Sequence, residues 1–301
     1  MEIRTLRYFL AVAREGNMTR AAGGLHVTQP TLSKALRALE DELGKRLFTR
    51  HSFSISLTEE GALLRDRAED LLLMVDKIEQ EFLSLDEVTG GDLYLGLAES
   101  YQIRYLAREI KRLKDRYPDL RYHITSGDTE QVTEGLDKGL LDFAVLCGLP
   151  NERKYEHLLF PEADYFGLVM RKDDCLAGRE VIRVGDLIGL PLFCSKQSWE
   201  GDIRPWAKER FGELRLEGSF RLAYNGSVFV KEGLGYLRAL DGLVDTSSES
   251  GLVFRPLSPA LEVPLCLACG RRQTLTPIAK RFLDQLRAVF AACGRENHFA
   301  P

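Results

Sequence analysis

Three observations predict an all-α N-terminal unit followed by an α/β region. A helix-turn-helix pattern lies between Asn17 and Arg50, a heptad-spaced helix follows Thr58, and strands alternate with helices from Leu93 onward. At 301 residues, 45% hydrophobic and 29% charged, the chain has apolar material for one small core and a larger one. Its net charge is −4, so any hold on nucleic acid requires basic residues placed locally. Arg4, Arg7, Arg14, Arg20, Lys34, Arg37, Lys45, Arg46 and Arg50 supply that local excess.

Leu6, Phe9, Leu10 and Ala13 predict a first helix from about Thr5 to Arg14. A second, Thr19 to Leu25, contains Gly23 and Gly24, each about 1 kcal/mol poorer than Ala inside a helix. After a turn of a few residues comes the third. Thr28 is its N-cap, Pro30 falls in the first turn where a missing N–H costs nothing, and Val27 and Leu32 form a hydrophobic staple. Leu32, Ala35, Leu36, Leu39 and Leu43 make one apolar stripe, with Pro30, Ser33, Lys34 and Arg37 opposite. Two amphipathic helices so joined are either an ordinary core hairpin or a helix-turn-helix whose second helix enters the major groove. In the second case Gln29 reaches a base edge, Ser33 and Lys34 read a base or hold a phosphate, and Arg37 holds phosphate. Phe48 to Leu57 reads as a wing of two short strands around His51-Ser52-Phe53-Ser54, with Ile55 and Leu57 pointing the same way. Arg50 at its base suits a phosphate or minor-groove contact.

The exact string decides between the two readings. Thr19-Arg20-Ala21-Ala22, Leu25-His26-Val27-Thr28-Gln29-Pro30-Thr31-Leu32-Ser33, Leu39-Glu40, Leu43-Gly44 and Leu47-Phe48-Thr49-Arg50 closely resemble the winged helix-turn-helix of LysR-type transcriptional regulators. The resemblance implies a DNA-binding segment over residues 1–58, with Thr28, Gln29, Pro30, Thr31, Ser33, Lys34, Arg37 and Arg50 as its contact residues. Gly23 and Gly24 depart from the family, which carries better helix formers there; a less stable DNA-binding unit is expected.

Thr58 caps a long helix, and Glu59 and Glu60 favour its positive end. Leu64, Ala68, Leu71, Val75, Ile78 and Phe82 recur at four and three residues in turn, a 3.5-residue period that favours a partner helix. From Thr58 to Leu83 the rod is about 39 Å long at 1.5 Å per residue. It resembles the linker and dimerisation helix of the family, here residues 59–85. A two-fold dimer implies paired half-sites about 34–36 Å apart or a multiple of that.

Asp86 to Gly91 breaks the helix, and the pattern becomes repeated βαβ. Strands are expected at Leu93 to Leu97, Leu120 to Ile124, Phe143 to Leu146, Phe166 to Met170, Leu192 to Cys194 and Phe220 to Leu222. Helices are expected at Ile103 to Tyr117, Thr129 to Lys138, Ile203 to Phe211, Ser227 to Gly233 and after Thr276-Pro277. Tyr117-Pro118-Asp119-Leu120, Ser126-Gly127-Asp128, Leu141-Asp142-Phe143-Ala144, Asp186 to Pro191 and Val230 to Gly235 resemble the LysR effector domain. That resemblance implies two α/β lobes like those of type 2 periplasmic binding proteins, within residues 91–301. Lobe I would hold about 91–162 and 266–301, lobe II about 163–265, with crossings near Phe160 to Asp164 and Val263 to Leu267.

A ligand cleft belongs where parallel strands end and helices begin, since free helix N–H groups converge there. The candidates are Ser100, Tyr101, Ser126, Gly127, Asp128, Thr129, Cys147, Ser195, Gln197, Ser198, Tyr224 and Asn225. Ser100, Asp128 and Ser227 read equally well as simple helix caps. Helix N-termini favour an organic anion, while Glu99 and Asp128 oppose one.

Six cysteines, Cys147, Cys175, Cys194, Cys266, Cys269 and Cys293, read as free thiols of a cytoplasmic protein. Cys266 and Cys269 lie three apart on an expected strand and so face opposite sides, which defeats a shared metal. No G-x-S-x-G elbow, Walker A loop or H-E-x-x-H occurs, Gly233-Leu234-Gly235 is not followed by a dinucleotide fingerprint, and the five histidines are scattered. No uninterrupted apolar segment is long enough for a signal peptide or membrane span. The reading is a non-enzymatic, ligand-responsive DNA-binding regulator without metal or cofactor. Its expected partners are an operator of double-stranded DNA with dyad symmetry, a small effector, its own second or fourth copy, and RNA polymerase. Alternatives are a cysteine-based redox-sensing regulator and a cytosolic solute-binding sensor that does not bind DNA.

Overall fold

The computed structural model describes residues 1–51, 54–83 and 90–293, which divide into two compact units, Met1–Leu83 and Ser84–Pro301. In the first, α1 (Ile3–Glu15) buries Leu6, Phe9 and Val12 and stops at Gly16, whose left-handed φ of 57° returns its N–H to Val12. It exceeds the expected Thr5 to Arg14 at both ends. The helix α2 (Met18–Gly24) starts where the Asn17 side chain accepts from the Thr19 and Arg20 amides. Gly23 and Gly24 form its last two residues rather than its interior, so the helix penalty expected there is largely relieved. The turn to α3 (Gln29–Leu43) passes through His26 at φ 55°.

The α3 stripe of Leu32, Leu36 and Leu39 packs on Phe9, Val12 and Ala21 in one core. Full burial of each of these leucines is worth about 1.5–3 kcal/mol, which fixes the rotation of the helix about its axis. Two three-residue strands, β1 (Phe48–Arg50) and β2 (Ile55–Leu57), pair antiparallel as the wing. Ser52, Phe53 and the Arg50 side chain lie outside the described residues. The wing is tied to α3 by Glu40, a buried carboxylate that accepts from Leu47 N at 2.8 Å and Phe48 N at 3.4 Å and pairs with Arg46 at 3.1 Å. Thr58 caps α4 (Glu59–Leu83) by accepting from Gly61 N, while its hydroxyl donates to the Arg46 carbonyl. Along α4, Leu64 packs against the local core and Ala68 is buried, whereas Leu71, Ile78 and Phe82 are 38%, 44% and 68% exposed and Val75 is intermediate.

The second unit begins β3 (Gly90–Leu97), α5 (Arg104–Arg116), β4 (Asp119–Ser126), α6 (Thr129–Asp137), β5 (Phe143–Cys147) and β6 (Tyr155–Leu159). It continues β7 (Asp164–Arg171), β8 (Ile182–Arg183), β9 (Pro191–Cys194), α7 (Lys196–Ser198), α8 (Arg204–Ala207), β10 (Arg215–Ser219) and α9 (Ala223–Lys231). The last elements are β11 (Tyr236–Leu240), β12 (Leu252–Ser258), β13 (Glu262–Val263), β14 (Leu265–Gly270) and α10 (Pro277–Ala292). One sheet has the order β4-β3-β5-β14-β6, the other β10-β9-β11-β7-β12-β8 with β13 on β7. The chain leaves the first sheet after Leu159, enters the second at Asp164, and returns through Pro264 between β13 and β14. Each sheet is the floor of its own lobe. In the first, Leu95, Phe143 and Leu267 pack with residues of α5 and α10, and Ala144, Cys266 and Ala268 with Val132 and Leu136 of α6. No described helix is long and apolar enough to cross a membrane.

Three expectations in the second lobe are corrected. The strand is Arg215–Ser219, whose polar-apolar alternation is weaker than the cluster Phe220 to Leu222 that follows it as a bend. The helix begins at Ala223 rather than Ser227, because the Ser227 hydroxyl donates backward to Tyr224 O at 2.7 Å and caps nothing. Ile203 to Phe211 is not one helix. A π turn over Trp199–Ile203, α8 and a 3-10 stretch over Lys208–Glu213 succeed one another, with Lys208 at φ 52°.

Replacing Glu40 with Ala would leave the buried Leu47 amide without an acceptor. The N-terminal unit should lose about 1–3 kcal/mol in urea unfolding, with faster amide exchange at Leu47 and Phe48. Unchanged exchange at both amides would show that the wing is held otherwise.

Candidate functional site: an exposed helix and an interlobe cleft

On α3, the first turn and the polar face stand clear of the core. Thr28, Gln29, Pro30, Thr31, Lys34 and Arg37 are exposed and Ser33 is intermediate. Thr28 spends its oxygen on the helix: it accepts from Thr31 N at 3.4 Å and lies 2.8 Å from the Thr31 hydroxyl. Both threonines therefore act as the cap, leaving Gln29, Ser33, Lys34 and Arg37 as the outward polar groups. Ion pairing sharpens the contrast. Arg7 pairs with Asp76 at 2.8 Å, Arg20 with Glu15 at 3.6 Å, Lys45 with Glu60 at 3.6 Å and Arg46 with Glu40 at 3.1 Å. Among the described residues neither Lys34 nor Arg37 has a carboxylate partner. Lys34 and Arg37 thus put uncompensated positive charge on the helix face that the sequence pattern exposes, while on α1 Arg14 has no carboxylate partner among the described residues and Arg4 meets only Tyr8.

In the second unit, strand ends of both sheets surround a cleft of about 200 Å³. Gly127, Asp128, Thr129, Cys147, Ser195, Gln197 and Ser198 line it, together with Glu99, Asp202, Phe220, Arg221 and Arg238. Five of the expected residues lie elsewhere. Ser100 is buried as the cap of a short 3-10 turn, accepting from Gln102 N at 2.9 Å, and Tyr101 is 57% exposed beside the Arg104 guanidinium. Ser126 ends β4 exposed, and Tyr224 and Asn225 sit exposed in the first turn of α9 rather than before it.

Asp128 both caps α6, accepting from Gln131 N at 3.0 Å, and faces Arg221 across the cleft at 3.8 Å. Glu99, just past β3, accepts from Ala223 N at 2.7 Å, filling the N-terminus of α9, which has no side-chain cap of its own. These two contacts join the lobes. Burial raises the Glu99 pKa against the pull of that N–H. Arg238, buried on β11, donates to Ser198 and Cys194 and pairs with Asp202 at 3.3 Å while stacking on the Phe166 ring. Burial lowers its pKa, opposed by Cys194 and Asp202, and its Nε has no partner among the described residues. The Cys147 thiol is pushed up to about 12, chiefly by burial and then by nearby carboxylates, so it lines the cleft as a neutral group. Cys266 and Cys269 are buried in the two different cores of their sheet, with thiols raised by burial to about 12 and about 11. Glu99 and Arg238 were missing from the expected residues. The available signal was the lone arginine in Tyr236-Leu237-Arg238-Ala239-Leu240, an apolar strand whose charge needs a partner.

The helix-turn-helix and the two-lobed cleft define a ligand-responsive regulator of transcription. The chain matches the model of bacterial regulatory helix-turn-helix proteins, lysR family, over residues 3–62, and that of the LysR substrate binding domain over residues 86–291. It belongs to the LysR family of DNA-binding transcriptional regulators. It is 37% identical over 221 residues to the HTH-type transcriptional regulator BsdA of Bacillus subtilis (strain 168), covering 72% of this chain and 74% of BsdA. To the DNA-binding transcriptional dual regulator OxyR of Escherichia coli (strain K12) it is 34% identical over 193 residues, 64% of this chain and 63% of OxyR. Among solved structures, full-length CbnR complexed with its target DNA superposes with a TM-score of 0.73 at 22% identity, covering 96% of this chain and 99% of CbnR, a likeness of fold.

Asp164, buried where the chain enters β7, has its pKa raised by burial, opposed by Ser100 and Gln102. The folded state holds this proton more tightly than the unfolded chain does. Its contribution to stability is therefore fully present below the ordinary carboxylate pKa and is lost as pH rises through the raised value. Asp164→Asn should gain on the parent in urea midpoint between about pH 3 and pH 7. A difference constant across that range would contradict the burial argument.

Proposed function

We propose that α3 reads operator DNA while the interlobe cleft takes a small effector that sets the closure of the lobes. Residues 1–58 would bind DNA, 59–85 would join two copies, and 91–301 would bind effector. In α3, Gln29, Ser33 and Lys34 face base edges and Arg37 a phosphate, with Thr28, Pro30 and Thr31 setting the helix start against the backbone and Arg50 adding a wing contact. Leu71, Val75, Ile78 and Phe82 form the seam with a second copy, whereas Leu64 and Ala68, expected in the same row, are used inside their own unit. The regulator works in the cytoplasm without a catalytic step, as a dimer or tetramer that RNA polymerase meets at the promoter. An effector shifts the population of lobe arrangements by no more than its difference in affinity for them.

The observation that carries this reading is the pair of uncompensated cations, Lys34 and Arg37, on the exposed face of a helix whose rotation is fixed by its core leucines. Lys34→Ala should weaken specific operator binding by about 1–3 kcal/mol if Lys34 reads a base. A uniform loss on all sequences with a shallower salt dependence reassigns it to phosphate. Unchanged binding would remove α3 from the interface.

A further inference from the structure

We infer that the ligand of the interlobe cleft carries a protonated nitrogen on a short hydrocarbon body, an amine or amidine rather than an organic anion. The inference rests on reading that cleft as the effector site. Each of its two arginines already faces a carboxylate, the exposed Arg221 loosely, with Asp128 at 3.8 Å, and the buried Arg238 with Asp202 at 3.3 Å. Glu99 remains half-buried with no cationic partner among the described residues, held only by the Ala223 amide. Glu262, solvent-exposed at the rim, adds a second carboxylate without a cationic partner among the described residues. Four carboxylates therefore face two guanidinium groups, and an anion entering this space meets repulsion that a cation relieves.

The helix N-termini at which a carboxylate ligand would find free amides are already taken, and the donor left without a partner there, Nε of the buried Arg238, belongs to a guanidinium paired with Asp202. The N-terminus of α9 holds Glu99, and that of α6 is closed by the reciprocal Asp128 and Gln131 contacts. What the cleft still offers is unmet negative charge beside apolar walls. Ala98, Phe220, Leu243, Val263 and Pro264 provide those walls, and the Phe220 ring is a face of the kind that attracts a cation. About 200 Å³ admits a molecule smaller than the usual drug-sized ligand. Such a ligand would place its nitrogen against Glu99 and its hydrocarbon against Phe220. Contacts to Glu99, which bridges the lobes, are the means by which it would alter their closure.

Thermal-shift and calorimetric titration of the full-length protein with size-matched probes tests this: n-butylamine against butyrate, and benzylamine and benzamidine against benzoate. At least one cation should raise the melting temperature saturably while its matched carboxylate does not. Glu99→Gln, which keeps an acceptor for the Ala223 amide, should weaken that cation about tenfold. Phe220→Leu should weaken it as well, so the claim survives a failure of the Glu99 variant to fold. Protection by a carboxylate, protection by none of the cations, or equal affinity in a folded Glu99→Gln protein would overturn the ligand class. Operator binding measured without any probe tests the regulator reading separately.

Discussion

An acidic chain that binds DNA must leave positive charge unpaired on the face that meets the DNA. The N-terminal unit meets this constraint by ion pairing. Arg7, Arg20, Lys45 and Arg46 each face a carboxylate, whereas Lys34 and Arg37 do not. The direction in which those two point is set by packing, since Leu32, Leu36 and Leu39 occupy the opposite side of α3 in the core. Glu40, one residue beyond that stripe, extends the same fixation to the wing through the Leu47 and Phe48 amides. Helix orientation, wing position and local electrostatics thus share one origin in the burial of three leucines.

The second unit applies a related logic to a cavity. Parallel strands β3, β4 and β5 in one sheet and β9, β10 and β11 in the other end on the cleft, bringing loops and helix starts together. Buried charges there are paired or hydrogen-bonded, as Arg238 with Asp202, Ser198 and Cys194 illustrates. Half-buried Glu99 has no charged partner among the described residues and bridges the lobes through a single amide. The buried, raised thiols of Cys266 and Cys269 on opposite faces of one strand disfavour a thiolate switch at that pair.

Much of the fold was legible because local signals agreed. Thr28, Pro30 and the Leu32 stripe placed α3, and Leu93-Leu95-Leu97 and Phe143-Ala144-Val145-Leu146 placed two central strands. Legibility failed where signals competed. Ser227 has the look of a cap but bonds within its helix, and apolar Phe220 and Leu222 outweighed the modest alternation of Arg215 to Ser219. In the cleft, residues following strand ends were readable, since topology alone brings Asp128, Cys147 and Ser198 to one cleft from both lobes. Tyr224 and Asn225 were misplaced with the helix start, and the roles of Glu99 and Arg238 depend on contacts to residues more than thirty positions away, which no local pattern encodes.

The central claim is that a packed helix displays a sequence-reading face to DNA in paired copies. Selection and sequencing of genomic fragments retained by the purified full-length protein at two salt concentrations tests it most directly. The account predicts enrichment of a few sites whose half-sites are related by dyad symmetry, with centres about 34–36 Å apart or a multiple of that, persisting at the higher salt. Retention of fragments without sequence preference, fading uniformly with salt, would contradict it.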